Sequence, residues 1–233
     1  MARRPLNIKD LLPRLSAIFD LLDESERELV VKHATVQAYK KNEIIYSEGD
    51  IPNHLLCLVS GKVKVYKDGI GGRSQIVRVI RPVGFFGYRA AFASQNYVTG
   101  AAAFETSIIV KIPIGTITHV LTQNARLGWF FIEHLAVGLG QADERTVSLT
   151  QKHIRGRLAE ALLFLKQSYG VEEDGFTLSI YLSREDLANL SNMTTSNAIR
   201  TLSNFANEKL IAIDGRKIKL IDEARLEKIS RIG

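Results

Sequence analysis

Thr195, Ser196, Asn197 and Arg200 crowd into one short segment, with Asn204 just beyond. Each can hydrogen-bond, and only Arg200 is charged. That set suits the edge of a base pair, where Arg reads guanine and Asn reads adenine. Hydroxyls and helix N-termini also suit phosphate oxygens. Such side chains need a helix to present them together. Ala198, Leu202 and Phe205 recur at helical spacing and supply its buried stripe, with Ile199 beside them. Thr194 or Thr195 can cap its start. A shorter helix precedes it. Ser183 is its N-cap, and Asp186 three residues on completes an S-x-x-D capping pattern. Leu187 and Leu190 are its apolar side. Ser191, Asn192 and Met193 then form a turn, because Ser and Asn side chains bond nearby backbone. The stretch from Leu182 to Phe205, LSREDLANLSNMTTSNAIRTLSNF, therefore reads as a helix-turn-helix. The blander alternative is a pair of solvated amphipathic helices in some other helical domain.

The next stretch of chain favours the helix-turn-helix. Leu210 to Ile221, LIAIDGRKIKLI, is two β-rich runs around Asp214-Gly215, a strong hairpin signal. Its tip carries Arg216 and Lys217. A helix-turn-helix followed by a hairpin with a basic tip is a winged helix, whose wing can lie against phosphates while the helix sits in the major groove. Arg155, Arg157, Arg184, Thr194, Arg216 and Lys217 are the phosphate-contact candidates, against the alternative of ordinary solvated surface groups.

The 233 residues suffice for two domains, with 45% hydrophobic and 24% charged residues. No apolar run approaches the ~20 residues of a membrane helix. MARRPLNIKD has two arginines but no apolar stretch after them, so no secretory signal is read. Cys57 is the single cysteine. It excludes an intrachain disulfide, which fits a cytoplasmic location, and a four-cysteine iron–sulfur cluster within one chain. The net charge of +6 permits a nucleic-acid partner. The excess is not concentrated in the winged segment: residues 151–233 hold 13 Lys and Arg against 11 Asp and Glu, residues 1–150 hold 18 against 14. Attraction to phosphates must then come from cations placed locally.

In chain order, residues 1–13 read as a loose arm broken by Pro5 and Pro13. Ser16 to Leu22 and Ser25 to His33 read as short helices, the second opened by Glu26 and Glu28. From Thr35 to Ile114, short alternating or apolar runs are separated by turn residues. Val59, Gly61, Val63 and Val65 share one face; Lys62, Lys64 and Tyr66 share the other. Gly69, Gly71 and Gly72 make a hairpin tip. Many short strands with Gly-rich turns predict an antiparallel β jelly roll. Residues 116–123 read as a link. Asn124 to Thr150 is a long helical pattern in which Ile132, Leu135, Leu139, Ala142, Thr146 and Leu149 alternate by three and four, a coiled-coil seam. A narrow stripe that long wants a partner helix, and its own copy is the simplest one. An ordinary core helix is the alternative. Ile154 to Gln167 is amphipathic, with Leu158, Leu162 and Leu165 inside. Phe176 to Tyr181 reads as a short strand, and a last helix starts at Glu223. The class is α+β: residues 1–123 a β-roll sensor domain with N-terminal helices, 124–152 a dimerisation helix, 153–233 a winged helix-turn-helix.

This order of parts resembles the Crp/Fnr family of bacterial transcription regulators, from about Ile18 to Ile221. The local matches are YKKNEIIYSEGD, LVSGKVKVYK, FFG at 85–87, RGRLAEALLFL at 155–165 and LSREDLANLSNMTTSNAIRTL at 182–202. The resemblance implies a jelly roll that often holds cyclic AMP, on a Gly-Glu-Leu motif followed about nine residues later by Arg-Ser. The corresponding residues here are Gly87, Tyr88 and Arg89, then Val98 and Thr99. The ribose-binding carboxylate and the phosphate-binding arginine are both missing from their places. An unpaired phosphate in a partly dry pocket is costly. The family's adenine-contacting Thr-Ser on the dimer helix is Ala142-Asp143 here. The expectation is an effector other than cyclic AMP. The family's recognition helix commonly has an Arg-Glu pair and an Arg five residues after the first. Thr195 and Ser196 replace the pair and Arg200 is retained, so the operator is expected to depart from the family's commonest one.

The reading is a homodimeric, cytoplasmic, sequence-specific DNA-binding regulator that contacts a near-palindromic site and RNA polymerase, with no catalytic and no metal site. The alternative is a cyclic-nucleotide-binding-like or haem-binding sensory module that acts through a protein partner. A haem needs an axial ligand such as His. The five histidines, 33, 54, 119, 134 and 153, are scattered without an obvious partner. A metal-dependent enzyme on the jelly roll would need clustered His and carboxylate ligands, and no His-x-His spacing occurs.

Overall fold

The computed structural model describes residues 8–11, 15–69 and 72–232, without the side chains of 9, 10 and 16. Most of the expected N-terminal arm, with Pro5 and Pro13, and Gly71 of the hairpin tip lie outside the described residues. The described chain divides into two compact units. One holds the residues up to Lys67 and Val77–Val137; the other holds Asp68–Ile76 and the chain from Gly138 onward.

The first unit opens with helices α1 (Ile8–Leu11), α2 (Ser16–Phe19) and α3 (Glu24–His33). Asp23 caps α3: its carboxylate accepts from Glu26 N–H at 2.8 Å, and Glu26 accepts from Asp23 N–H at 2.9 Å. Eight strands follow: β1 (Thr35–Tyr39), β2 (Ile44–Tyr46), β3 (His54–Ser60), β4 (Val63–Asp68), β5 (Ser74–Ile80), β6 (Phe85–Phe86), β7 (Gly100–Ala103) and β8 (Ser107–Pro113). They form two four-stranded sheets, ordered β1-β8-β3-β6 and β2-β7-β4-β5, with β1–β8, β8–β3, β3–β6, β2–β7 and β7–β4 antiparallel. This is a jelly roll.

Strand β3 shows why its sequence is apolar throughout. Leu56 and Leu58 join Val63, Val65, Phe86 and Ile109 between the sheets. Leu55, Cys57 and Val59 point the other way, into a second core with Ile18, Val30, Ile112, Ile117, Leu127 and Phe131. Both faces are covered, so alternation disappears. The predicted common face of Val59, Gly61, Val63 and Val65 is interrupted, because the chain turns at Gly61. Gly61 has φ 90°, and a Cβ there would lie 2.6 Å from the Thr106 carbonyl oxygen and 2.3 Å from Ser107 Oγ. Only glycine fits. The supposed link at 116–123 is mostly helix α5 (Ile114–Leu121), held by burial of Ile117 and Val120.

Helix α6 (Ala125–Gln151) is 27 residues long, roughly 40 Å at 1.5 Å per residue. No described helix is long and apolar enough to cross a membrane.

The second unit contains α7 (Ile154–Tyr169), α8 (Arg184–Leu190), α9 (Thr195–Asn207), hairpin strands β9 (Ile211–Asp214) and β10 (Lys217–Leu220), and α10 (Glu223–Ile232). Leu158, Leu162 and Leu165 of α7 are buried, and α7 packs on α8, α9 and α10. Phe176 to Tyr181 is not a strand. It makes isolated bridges at Thr177–Lys219 and Val171–Leu178. Leu178 N–H donates to Ile218 O at 2.9 Å, and Leu220 N–H to Phe176 O at 3.0 Å. A turn at 173–175 and the Ser179 N–H bond to Gly170 O stop the pairing there.

Candidate nucleic-acid interface and effector pocket

Helix α9 is placed by its caps and its buried face. Ser183 opens α8 by accepting from Asp186 N–H at 3.0 Å, and its hydroxyl donates to the Asp186 carboxylate at 2.8 Å. Asn192 takes φ 49° in the turn, a conformation asparagine tolerates. Met193 is buried, and its N–H reaches Ala188 O at 3.0 Å. Thr194 is the N-cap of α9, accepting from Asn197 N–H at 3.2 Å. Ala198, Thr201, Leu202 and Phe205 are buried.

Thr195, Ser196, Arg200 and Asn204 are exposed, and Asn197 is half-buried. Arg200 Nη2 donates to Asn197 Oδ1 at 3.0 Å, so two of the predicted base readers are linked before any ligand arrives. Ile199 is 48% exposed rather than part of the buried stripe. At 100° per residue it sits one step from Ala198 toward the polar side. With Ser196, Arg200, Ser203 and Asn204 it completes the exposed arc, and the apolar spacing alone did not reveal this.

The phosphate candidates divide. Arg184 Nη2 donates to Gly215 O at 2.7 Å, tying α8 to the hairpin loop. That loop is Gly215-Arg216, since Asp214 pairs with Lys217 in the ladder. Arg216 is exposed at the tip; Lys217 lies one position into β10, with its ammonium 5.4 Å from the Tyr181 ring centroid and 3.6 Å from Glu172. The Thr194 hydroxyl keeps its proton free to donate, because it accepts within its cap. Arg155 and Arg157 are committed inside the unit. Arg155 grips Glu208 with both Nη atoms and lies 4.8 Å over the Phe205 ring. Arg157 Nη1 donates to Leu149 O at 3.1 Å. The Arg155 guanidinium holds the Glu208 carboxyl below its ordinary range.

The seam positions Ile132, Leu135, Leu139, Ala142 and Thr146 are exposed along α6, and Leu149 is half-buried. Trp129, Val137 and Val147 add exposed apolar surface that the three-and-four spacing left out. Ala142 and Asp143 are exposed on the same helix.

In the jelly roll, Gly87 has φ 83° and precedes α4 (Tyr88–Phe92). A Cβ at Gly87 would crowd Leu56 and the Tyr97 hydroxyl at 3.1 Å. Tyr88 is buried with its ring 5.4 Å from Phe92 and 5.0 Å from Phe131. Arg89 and Val98 are exposed, and Thr99 hydrogen-bonds the Tyr46 hydroxyl. Tyr46 stacks on Tyr97 at 3.8 Å and 14°. Burial raises the pKa of Tyr46, Tyr88 and Tyr97. Beside them lies Arg78, a residue whose type and spacing gave no signal in the sequence. Cys57 is fully buried, and burial pushes its thiol far up, out of reach of thiolate chemistry at neutral pH. Among the described residues, no three His, Cys, Asp or Glu side chains gather as metal ligands would.

A jelly roll, a long helix and a winged helix-turn-helix with a polar arc define a DNA-binding regulator. Residues 36–124 match the cyclic nucleotide-binding domain family, and residues 156–229 match the Crp-like helix-turn-helix domain family. The chain belongs to the Crp/Fnr family of transcription regulators, which are not enzymes. It is similar to a CRP-like cAMP-activated global transcriptional regulator of Mycobacterium tuberculosis, 22% identical over 93% of this chain and 97% of that one. A nitrogen fixation regulation protein, FixK, of Bradyrhizobium diazoefficiens is 26% identical over 95% and 92%. The solved structure of FixK2 from Bradyrhizobium japonicum shares the fold, with TM-score 0.76 at 23% identity over 84% of this chain and 96% of that one.

Proposed function

We propose that the chain acts as a cytoplasmic homodimer that reads a near-palindromic duplex, with one α9 in each of two major grooves. The observation carrying this is the division of α9 into a buried side and an exposed polar arc centred on Arg200, capped by the exposed Thr194. Arg200, Ser196, Thr195 and Asn197 read base edges, with Arg200 on a guanine. Ile199 supplies an apolar contact suited to a thymine methyl. Arg184, Thr194, Arg216 and Lys217 set the register on phosphates. Arg155 and Arg157 instead hold α7 in place, Arg155 on the Glu208 carboxylate and the Phe205 ring and Arg157 on Leu149 O. The exposed seam from Ile132 to Leu149 pairs with its copy, which brings two half-sites about one helical turn, ~34 Å, apart. RNA polymerase is the expected protein partner.

The β-roll senses an effector other than cyclic AMP. Tyr88 stands where a carboxylate would take the ribose, and its ring is packed against Phe131. Val98 replaces the phosphate-binding arginine. Neither a haem nor an iron–sulfur cluster is part of this reading: Cys57 is single and buried, and no histidine has a haem-ligating partner in the sequence. Titrating purified chain against a pool of duplexes at several salt concentrations tests the reading. The expected outcome is salt-dependent binding with one preferred symmetric site. Equal affinity for every duplex would overturn it.

A further inference from the structure

Asn197 is the third residue of α9, and its N–H donates to the Thr194 hydroxyl oxygen at 3.2 Å. The backbone therefore fixes where its side chain starts. An acceptor at this position often reaches back to the N-cap N–H. Here Asn197 Oδ1 faces forward and accepts from Arg200 Nη2 at 3.0 Å. Arginine carries donors only, so the amide atom that meets it has to be the oxygen. The amide nitrogen is left over. Among the described residues, Asn197 Nδ2 has no hydrogen-bond partner, and solvent reaches it.

A free asparagine reads adenine with both amide atoms, the oxygen accepting from N6 and the nitrogen donating to N7. With its oxygen engaged, Asn197 meets DNA as a donor alone. Guanine presents O6 and N7 and thymine presents O4, all acceptors, whereas cytosine presents only the N4 donor. Adenine keeps N7 but leaves its N6 donor unanswered, which costs binding. Arg200 uses one of its five N–H donors on Asn197. Whichever Nη2 hydrogen that is, a parallel pair remains for guanine O6 and N7. The Arg200–Asn197 bond is weak while water surrounds it, and it strengthens once a filled groove excludes water. By helical rotation Asn197 lies about 60° to one side of Arg200 and Ile199 about 100° to the other, so the two do not compete for one base.

We infer that Asn197 is a positioning residue for Arg200 and, through Nδ2, a donor-only reader, so that the base beside the Arg200 guanine on the Asn197 side is guanine or thymine, not adenine or cytosine. This rests on the reading of α9 as the element in the major groove, and it names part of the sequence that α9 selects.

The test is selection from a randomised duplex pool by the full chain, then competition binding with each of the four bases placed in turn beside the selected guanine. The parent should favour guanine or thymine there, with cytosine weaker by about 10-fold or more. Asn197→Asp keeps an oxygen for Arg200 and exchanges the donor for an acceptor. It should retain the guanine and move the neighbouring preference to cytosine or adenine, whose exocyclic amines donate. Repulsion between the new carboxylate and the phosphates lowers affinity for all four duplexes alike and leaves their ratios intact. Asn197→Ala should lose the neighbouring preference and cut discrimination at the guanine by roughly 3- to 10-fold, the effect of one hydrogen bond. Both variants keep the backbone N–H that bonds Thr194, so α9 should stay folded, as circular dichroism would show. A parent that prefers adenine, a neighbouring preference unchanged in Asn197→Asp, or full guanine discrimination in Asn197→Ala would overturn the inference. Any of those results beside a symmetric motif with a guanine in each half leaves the DNA-binding reading standing. No enriched motif from folded dimeric parent ends that reading, and this inference with it.

Discussion

Arg200 is exposed, its guanidinium bonded to Asn197 Oδ1, and placed on the first two turns of a helix whose opposite side is core. A bidentate contact from such a side chain to guanine discriminates by about 1–3 kcal/mol. Arg200→Ala should therefore lower affinity for the preferred duplex by about that amount and flatten preference at one base pair per half-site, measured by competition binding. Equal weakening on all sequences would make Arg200 a phosphate contact instead. Acid behaviour is also set at this scale. Hydrogen bonds from Thr177 and Phe176 hold the Asp174 carboxyl well below the usual range, and Arg155 does the same for Glu208. Both folded values lie below the unfolded ones. Their stabilisation is complete above the ordinary carboxylate range, about pH 4, and is lost as pH falls through the depressed values. Asp174→Asn should lower Tm at neutral pH, with the gap from the parent closing as pH drops below about 4 in thermal melts. The exposed polar arc of α9 was legible from type and spacing. Arg78 was not: Val77-Arg78-Val79 has the alternation of a half-solvated strand, and only closure of the jelly roll turns that arginine inward.

At the scale of elements, α9 depends on Phe205. Its side chain is fully buried and carries the Arg155 guanidinium that grips Glu208 at the C-terminal end of the same helix. Phe205→Ala removes both, and should cost about 3–5 kcal/mol of stability in denaturant unfolding while leaving every exposed residue of the arc in place. Caps and stripes of this kind are short-range, and so the two helices of the motif could be read from LSREDLANLSNMTTSNAIRTLSNF directly. Other elements depend on distant partners. Ile114 to Leu121 carries Gly115 and follows Pro113, which suggests a link, yet Ile117 and Val120 find the same core as α3 and become helix. Phe176 to Tyr181 has strand-forming residues, but the Asp174–Gly175 turn and the Ser179 N–H bond to Gly170 O limit its pairing with Val171 and Lys219 to isolated bridges.

For the whole molecule, the decisive element is α6. Ile132, Leu139 and Val147 are more than half exposed along it. A helix of ~40 Å with that surface is the element on which the proposed pairing of two copies rests. Leu139→Asp replaces a side chain that is 65% exposed, so the fold of the single chain should persist. In sedimentation velocity the variant should run as a monomer where the parent runs as a dimer, and its duplex affinity should fall because one half-site is lost. Selection of binding sites from a randomised duplex pool by the full-length chain probes dimer and recognition helix together. The expected result is enrichment of a two-fold symmetric motif, with half-site centres about 10 base pairs apart and a guanine in each half that disappears for Arg200→Ala. An asymmetric motif, or no enrichment from protein that is folded and dimeric, would contradict DNA reading by a paired α9.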